Sequence, residues 1–353
     1  TNFGLERAAI VKNTLKDLGI KVQTEDPSIN IMTAELSIKD VMVLSGNENV
    51  AYVEEDLQRR FMAQSVPYGI NMVQADQVDD SIASANSGGK KICIIDSGLN
   101  LPHEDMGAQG STISGTNDSG TGNWFDHGGP HGSHVAGTIA ALNNGIGVRG
   151  VIGTDPNLHI VKVFNDSGWG YSSDLVSAIN TCVTNGSNVI NMSLGGPGGL
   201  DDPLTVAVNE LINENVLVVI SAGNEGDGAM TITSPGNAEY ALTVASTNKN
   251  DDIASYSSRG PILSETFQKP EISAPGSDIF SLAIGQGIIN MSGTSMAAPH
   301  VSGAAALVKQ HYPNLTSQEL KSLLIANPSP VDYPFTVAGS GRLNALAAVE
   351  AKV

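Results

Sequence analysis

Ile92-Cys93-Ile94-Ile95-Asp96-Ser97-Gly98 begins with four consecutive apolar residues and ends on a carboxylate set in turn chemistry. An apolar run without alternation describes a strand covered on both faces, and Asp-Ser-Gly is a signal for the chain to turn. Comparable apolar runs return at residues 160–164, 189–193, 216–221 and 242–246. Helical periods fall between them at 132–142, 173–184 and 203–213, and another helix opens at Ser295. Buried strands alternating with helices predict an α/β fold, a mostly parallel sheet with helices on both faces. In that architecture the reactive groups lie beyond the carboxyl ends of the strands.

Asp96 stands at such an end. In His131-Gly132-Ser133-His134-Val135-Ala136-Gly137-Thr138 an imidazole opens a helix of small residues. In Asn290-Met291-Ser292-Gly293-Thr294-Ser295-Met296-Ala297-Ala298-Pro299-His300 a Gly-Thr turn puts Ser295 on the first turn of a helix apolar enough to be buried. The N–H groups at a helix start lack partners, and the positive end of the dipole favours a developing oxyanion. Pro299 is read as tolerated because first-turn N–H groups have no intrahelical partner to lose. Singly, each residue has a structural reading: a turn former, a helix-start histidine, an N-cap. Together they make a hydrolase in which Ser295 is the nucleophile, His131 its general base, and Asp96 the group that fixes the imidazole tautomer. The stretch Val218-Val219-Ile220-Ser221-Ala222-Gly223-Asn224-Glu225-Gly226 adds Asn224, whose amide and the Ser295 N–H would supply two oxyanion donors.

Composition narrows the rest. The formal net charge of -18 argues against a nucleic-acid partner, which needs clustered Lys and Arg. No apolar run approaches the roughly 18 residues of a membrane helix, so no membrane partner is expected. Thr1-Asn2-Phe3-Gly4 has no basic and apolar leader, and any export signal is read as lying outside this numbering. Cys93 and Cys182 are too few for a disulfide framework and lack metal-ligand spacing, so both are read as buried apolar thiols. Residues 1–62 read as a separate small α+β unit: an amphipathic helix from Leu5 to Leu18, strands at 21–24 and 29–36, a helix at 38–44 and a last strand at 49–54. A linker without period follows at 56–62. The 111–129 stretch, rich in Gly, Asn, Asp and Ser, reads as a loop with a weak case for a second cation.

The order Asp, His, Asn, Ser and the wording around each resemble the subtilisin-like serine proteases over residues 64–346. The resemblance implies a secreted, monomeric endopeptidase of broad specificity acting on peptides and proteins. It implies that Ser193, Leu194 and Gly195 bind the P1 side of the substrate backbone, and that Asn165, Asp166, Ser167 and Gly168 form the facing strand. Trp169 and Leu175 would line a P4 pocket, and Gly223, Glu225 and Thr233 the P1 pocket. Gln64, Asp105 and Asn144, with the carbonyls of Leu142, Ile146 and Val148, match the family's structural Ca²⁺ site, a hard-oxygen set suited to that ion. Residues 1–62 resemble the family's ferredoxin-like inhibitor propeptide, without the strand ahead of its first helix. That implies self-cleavage between Met62 and Ala63, a catalytic domain of residues 63–353, and a released segment that inhibits its own enzyme. Two competing readings are an esterase on a similar sheet, which would carry a Gly-x-Ser-x-Gly elbow and another triad order, and a catalytically silent relative of the same fold.

Overall fold

A computed structural model describes residues 2–26, 31–55, 63–83, 90–107, 110, 112–117, 120–126, 128–164, 168 and 170–352. The chain divides into two compact units, Thr1–Arg60 and Phe61–Val353. In the small unit, α1 (Asn2–Asp17) leads to β1 (Val22–Asp26), which pairs antiparallel with β2 (Ile31–Ala34), and α2 (Ile38–Ser45) follows. Leu15 and Leu44 are its buried anchors. A reciprocal cap between Ser37 and Asp40 fixes the start of α2. The strand expected at 49–54 does not form. The chain there makes a turn in which the Val50 N–H donates to the Asn47 carbonyl at 2.9 Å, and the sheet remains two-stranded.

The large unit opens with α3 (Tyr68–Met72) and α4 (Asp80–Ala83). The chain then runs β3 (Ile92–Asp96), β4 (Ile113–Asn117), α5 (His131–Ala140), β5 (Leu158–Lys162), α6 (Ser172–Thr184), β6 (Val189–Met192), α7 (Pro203–Glu210), β7 (Leu217–Ser221), β8 (Leu242–Thr247) and β9 (Ile272–Pro275). A hairpin of β10 (Ile279–Leu282) and β11 (Ile288–Met291) precedes α8 (Thr294–His311), α9 (Ser317–Ala326), α10 (Phe335–Ala338) and α11 (Ala345–Glu350). Strands β3 to β9 form one parallel seven-stranded sheet in the order β4-β5-β3-β6-β7-β8-β9. This is the α/β architecture expected from the sequence.

Strand alternation divides the core into two layers. Ile92, Ile94, Leu217 and Val219 face α5 and α8, while Cys93, Ile95, Val218 and Ile220 face α6 and α7. All are buried, which is why these strands read as unbroken apolar runs. Helix α8 lies inside the first layer and is buried along nearly its whole length. That explains its small-residue sequence, because a helix enclosed on every side has no polar face to keep. The strand order reverses at β3, with β5 on one side and β6 on the other, and a crevice opens past the carboxyl ends of strands at such a switch.

Three expectations are corrected. Cys93 and Cys182 are not free thiols. They form a disulfide with a Cα–Cα distance of 5.7 Å, because the crossover into β6 lays α6 against β3. Residues 113–117 are a strand, β4, since the open edge of β5 offers partners to even a weakly apolar segment. Pro299 lies inside α8 rather than in its first turn, which starts at Thr294. Among the described residues no helix is long and apolar enough to cross a membrane.

The disulfide closes a loop with a sequence separation of 89 residues. Replacing both cysteines by alanine is therefore expected to lower the unfolding free energy by about 2–4 kcal/mol. Urea unfolding reads this directly, and an unchanged midpoint would show that the bridge does not form.

Candidate active site

Asp96 ends β3 and is fully buried, yet its carboxylate has a complete set of donors. Ser97 N–H donates to Oδ1 at 2.7 Å, and His131 Nδ1 lies 2.9 and 3.0 Å from the two carboxylate oxygens. His131 is the first residue of α5, and the geometry of that junction depends on Gly132. A Cβ there would stand 2.1 Å from the Gly98 carbonyl and 3.2 Å from Asp96 Oδ1. The Gly132 N–H donates to Ser97 Oγ at 3.0 Å, tying the helix start to the turn that follows Asp96. The imidazole remains 32% exposed, so Nε2 faces the crevice. Burial pulls its pKa down, but the adjacent Asp96 charge and hydrogen bond outweigh this and hold it above the ordinary imidazole value.

The second histidine of the motif serves another purpose. His134 is fully buried, bonded through Nε2 to the Ile279 carbonyl at 2.8 Å, and burial pushes its pKa down to about 4. It fastens the β10–β11 hairpin to α5 as a neutral ring. Among the described residues only His131 combines a carboxylate partner with an open face.

Ser295 is the second residue of α8 and is reached through Gly293 and Thr294. Thr294 orients Asn224: its N–H and Oγ1 donate to Asn224 Oδ1 at 2.9 and 3.1 Å. With the oxygen so engaged, the exposed Asn224 turns its NH₂ outward, and the Ser295 N–H has no intrahelical acceptor. The Asn224 amide, held by Thr294, and the Ser295 N–H are two donors at the start of α8, an arrangement suited to an oxyanion. In this conformation Ser295 Oγ donates to the Ser193 carbonyl at 3.1 Å.

Ser193, Leu194 and Gly195 leave the end of β6, with Leu194 buried and Gly195 exposed. The backbone continues into a bridge between Gly196 and Ser234. Thr233 stands between this stretch and Gly223: a Cβ on Gly195 would lie 2.4 Å from Thr233 Oγ1, and one on Gly223 2.7 Å from it. Its hydroxyl therefore closes the gap between the two walls. Glu225 is exposed on the same loop, held by its N–H to Ser258 Oγ at 3.0 Å. Leu175 is buried in α6 within the outer core layer. Gly168 is exposed with φ +76°, a value a side chain rarely adopts. Asn165, Asp166, Ser167, Trp169 and Met62 lie outside the described residues.

A separate oxygen cluster forms where residues 64–65 meet the 142–149 loop. Ser65 N–H donates to the Gly147 carbonyl at 2.8 Å, and Gln64 Nε2 donates to the carbonyls of Leu142, Ile146 and Val148 at 2.6, 3.2 and 3.1 Å. An NH₂ has two hydrogens for three acceptors. Asp105 Oδ2 accepts the Val148 N–H at 2.6 Å, while its Oδ1 is buried without a partner. Burial pushes this carboxyl up to about 6, despite the Val148 N–H and the Asn144 side chain. Asn144 Oδ1 accepts the Ile146 N–H at 3.1 Å and shapes the turn. Converging carbonyls, an unpartnered carboxylate oxygen and an amide that a 180° flip would turn with Oε1 inward describe a donor set that a hard cation would satisfy.

Sequence reasoning passed over Asn191 and Ser302. Asn191 Nδ2 donates to Ser193 Oγ at 3.0 Å, Ser302 Oγ donates to Asn191 Oδ1 at 2.8 Å, and Ser193 Oγ donates to the Ser295 carbonyl at 2.8 Å. The available signal was a fully buried amide in the otherwise apolar strand β6.

The Subtilase family model matches residues 87–341, spanning every one of these candidate residues from Asp96 to Ser295. The chain belongs to this family. Subtilisin E of Bacillus subtilis (strain 168) is 36% identical over 341 residues, covering 96% of this chain and 86% of that protein. An alkaline protease of Alkalihalobacillus alcalophilus is 37% identical, covering 94% of this chain and 83% of its own. Subtilisin DY of Bacillus licheniformis is 38% identical over 295 residues, covering 82% of this chain and all of that protein. Among solved structures, the psychrophilic subtilisin-like protease Apa1 from the Antarctic psychrotroph Pseudoalteromonas sp. AS-11 superposes with a TM-score of 0.71 at 27% identity, covering 81% of this chain and 98% of that one. As a subtilase the protein is a serine endopeptidase acting on protein substrates.

A general base must be neutral to take a proton, and Asp96 raises the pKa of His131, the candidate base. In the free enzyme, kcat/KM is therefore expected to climb with pH along an acid limb whose midpoint lies above 6.5, the ordinary imidazole value. A midpoint below that value would contradict the His131–Asp96 pairing.

Proposed function

We propose that Asp96, His131, Asn224 and Ser295 carry the peptidase chemistry of this subtilase. The observation that carries this reading is the buried Asp96 carboxylate bonded to the partly exposed His131 imidazole, the one histidine–carboxylate pair among the described residues. His131 takes the Ser295 proton as Oγ attacks the scissile carbonyl. The oxyanion is met by the Asn224 amide and the Ser295 N–H, and His131 returns the proton to the leaving amine. Water then resolves the acyl-enzyme by the same steps in reverse. Substrate backbone pairs with 193–195 as an added strand, with 165–168 as the facing strand and Trp169 and Leu175 bordering P4. Gly223, Glu225 and Thr233 shape the P1 pocket. Because Thr233 fills the space between its walls, small P1 side chains are preferred. Thr233→Gly is expected to raise the kcat/KM ratio for a Phe over an Ala P1 substrate by about tenfold or more. An unchanged ratio would show that Thr233 does not limit the pocket.

Residues 1–62 serve as a propeptide, cut from the catalytic domain at Met62-Ala63 by the enzyme itself, and the released segment inhibits it. Two observations support this. Similarity to Subtilisin E covering 96% of the chain necessarily reaches into the small unit. Firm anchoring of the large unit begins immediately after the exposed Ala63, at Gln64 and Ser65. Ser295→Ala is expected to leave the 1–62 segment attached, read by intact mass, and normal removal in that variant would refute self-processing. The enzyme is secreted and monomeric, and the buried disulfide fits an oxidising compartment.

Gln64, Asp105 and Asn144, with the carbonyls of Leu142, Ile146 and Val148, hold a structural Ca²⁺ that pins the N-terminal arm to the 142–149 loop. Its part is stability rather than chemistry. Excess chelator is expected to lower the melting temperature, because an ion bound only by the native state stabilises it by mass action. A melting temperature that stays constant in chelator would remove the ion.

A further inference from the structure

Position 299 explains an otherwise odd set of buried polar groups. In an α-helix the carbonyl of residue i accepts from the N–H of residue i+4. For Ser295 that residue is Pro299, which lies inside α8 and has no N–H. The proline ring also crowds the carbonyl four residues back, so the Ser295 carbonyl must tilt away from its own helix. It tilts onto Ser193, whose Oγ donates to it at 2.8 Å.

The Ser193 hydroxyl is itself held. It accepts from Asn191 Nδ2 at 3.0 Å, and Asn191 Oδ1 accepts from Ser302 Oγ at 2.8 Å. Asn191 and Ser302 are fully buried and Ser193 nearly so. The donors point in one direction, Ser302 to Asn191 to Ser193 to the Ser295 carbonyl, and each bond polarises the next. An apolar residue at 191 would leave the Ser193 hydroxyl free to rotate, and the Ser295 carbonyl would lose its donor for part of the time. The first turn of α8, which carries the nucleophile and one oxyanion donor, would then lose a fixed point of attachment.

We propose that Asn191 is a positioning residue for Ser295: through Ser193 it replaces the hydrogen bond that Pro299 withholds, and so fixes the first turn of α8 for acyl transfer. Asn191 touches neither substrate nor reacting atoms and acts only through Ser193. The proposal rests on Ser295 being the nucleophile.

The test is pre-steady-state and steady-state hydrolysis of an activated peptide ester, with active sites counted from the acyl burst, in the full chain and its processed form. Asn191→Ala is expected to lower kcat per titrated site about tenfold, the effect of leaving one buried polar group unpaired. KM should change less than about twofold, because the substrate-binding backbone keeps its own bonds. In a Pro299→Ala background, where residue 299 regains an N–H for the Ser295 carbonyl, the same substitution should lower kcat by less than about threefold. An unchanged kcat per site in Asn191→Ala, or an equal loss in both backgrounds, would overturn the proposal. Should Asn191→Ala not fold, Ser302→Ala removes only a hydroxyl and carries the same two-background comparison. An undiminished acyl burst in Ser295→Ala would refute the nucleophile itself, a different outcome from a burst that depends on Ser295 but is indifferent to Asn191.

Discussion

On a sheet buried on both faces, a charged side chain must be met by partners of its own. Asp96 illustrates the constraint: its carboxylate sits at zero exposure with the Ser97 N–H and the His131 ring both donating to it. That requirement places it at the last residue of β3, where a turn and a helix start can supply donors. His131 is drawn to the same point, and its helix can enter only because residue 132 is glycine. The crevice at the switch between β3 and β6 thus accommodates a buried carboxylate, and the proposed chemistry is located there.

The same constraint governs α8. Enclosed on all sides, the helix delivers Ser295 from the core outward, and its first turn is held by neighbours rather than by its own ladder. Thr294 engages Asn224, and Ser193 engages the Ser295 carbonyl. Asn191 and Ser302 complete a chain in which each buried polar group is satisfied by the next. The oxygen cluster around Asp105 is the counterexample in the same domain, a buried carboxylate with one oxygen unpartnered.

How much of this could be read from the residues varies with how local the cause is. Five of the seven sheet strands were legible as apolar runs, as in β3 and β7, whereas β9, reading Ile-Ser-Ala-Pro, was not. β4 was not, because an edge strand reading Ile-Ser-Gly-Thr-Asn is held by its neighbour and not by its own hydrophobicity. The residues gathered at the crevice were legible because each sits in a short motif with its own turn chemistry. The Cys93–Cys182 pairing was hidden, since it follows from the crossover that lays α6 on β3 and not from spacing in the chain. Pro299 was misjudged by placing it within the first turn; counted from Thr294, it faces a carbonyl that needs a donor. Asn191 was overlooked because its partners come from three separate segments. The oxygen cluster was named only through family resemblance, as backbone carbonyls carry no sequence signal.

The central claim is that Ser295, activated by His131 and aimed by the first turn of α8, is the nucleophile. Its most direct measurement is peptide mass mapping after reaction with a fluorophosphonate. The account predicts one phosphonyl group per molecule, carried on Ser295, with labelling slowed by orders of magnitude in His131→Ala. A folded, proteolytically active protein labelled at another residue, or not labelled, would contradict it.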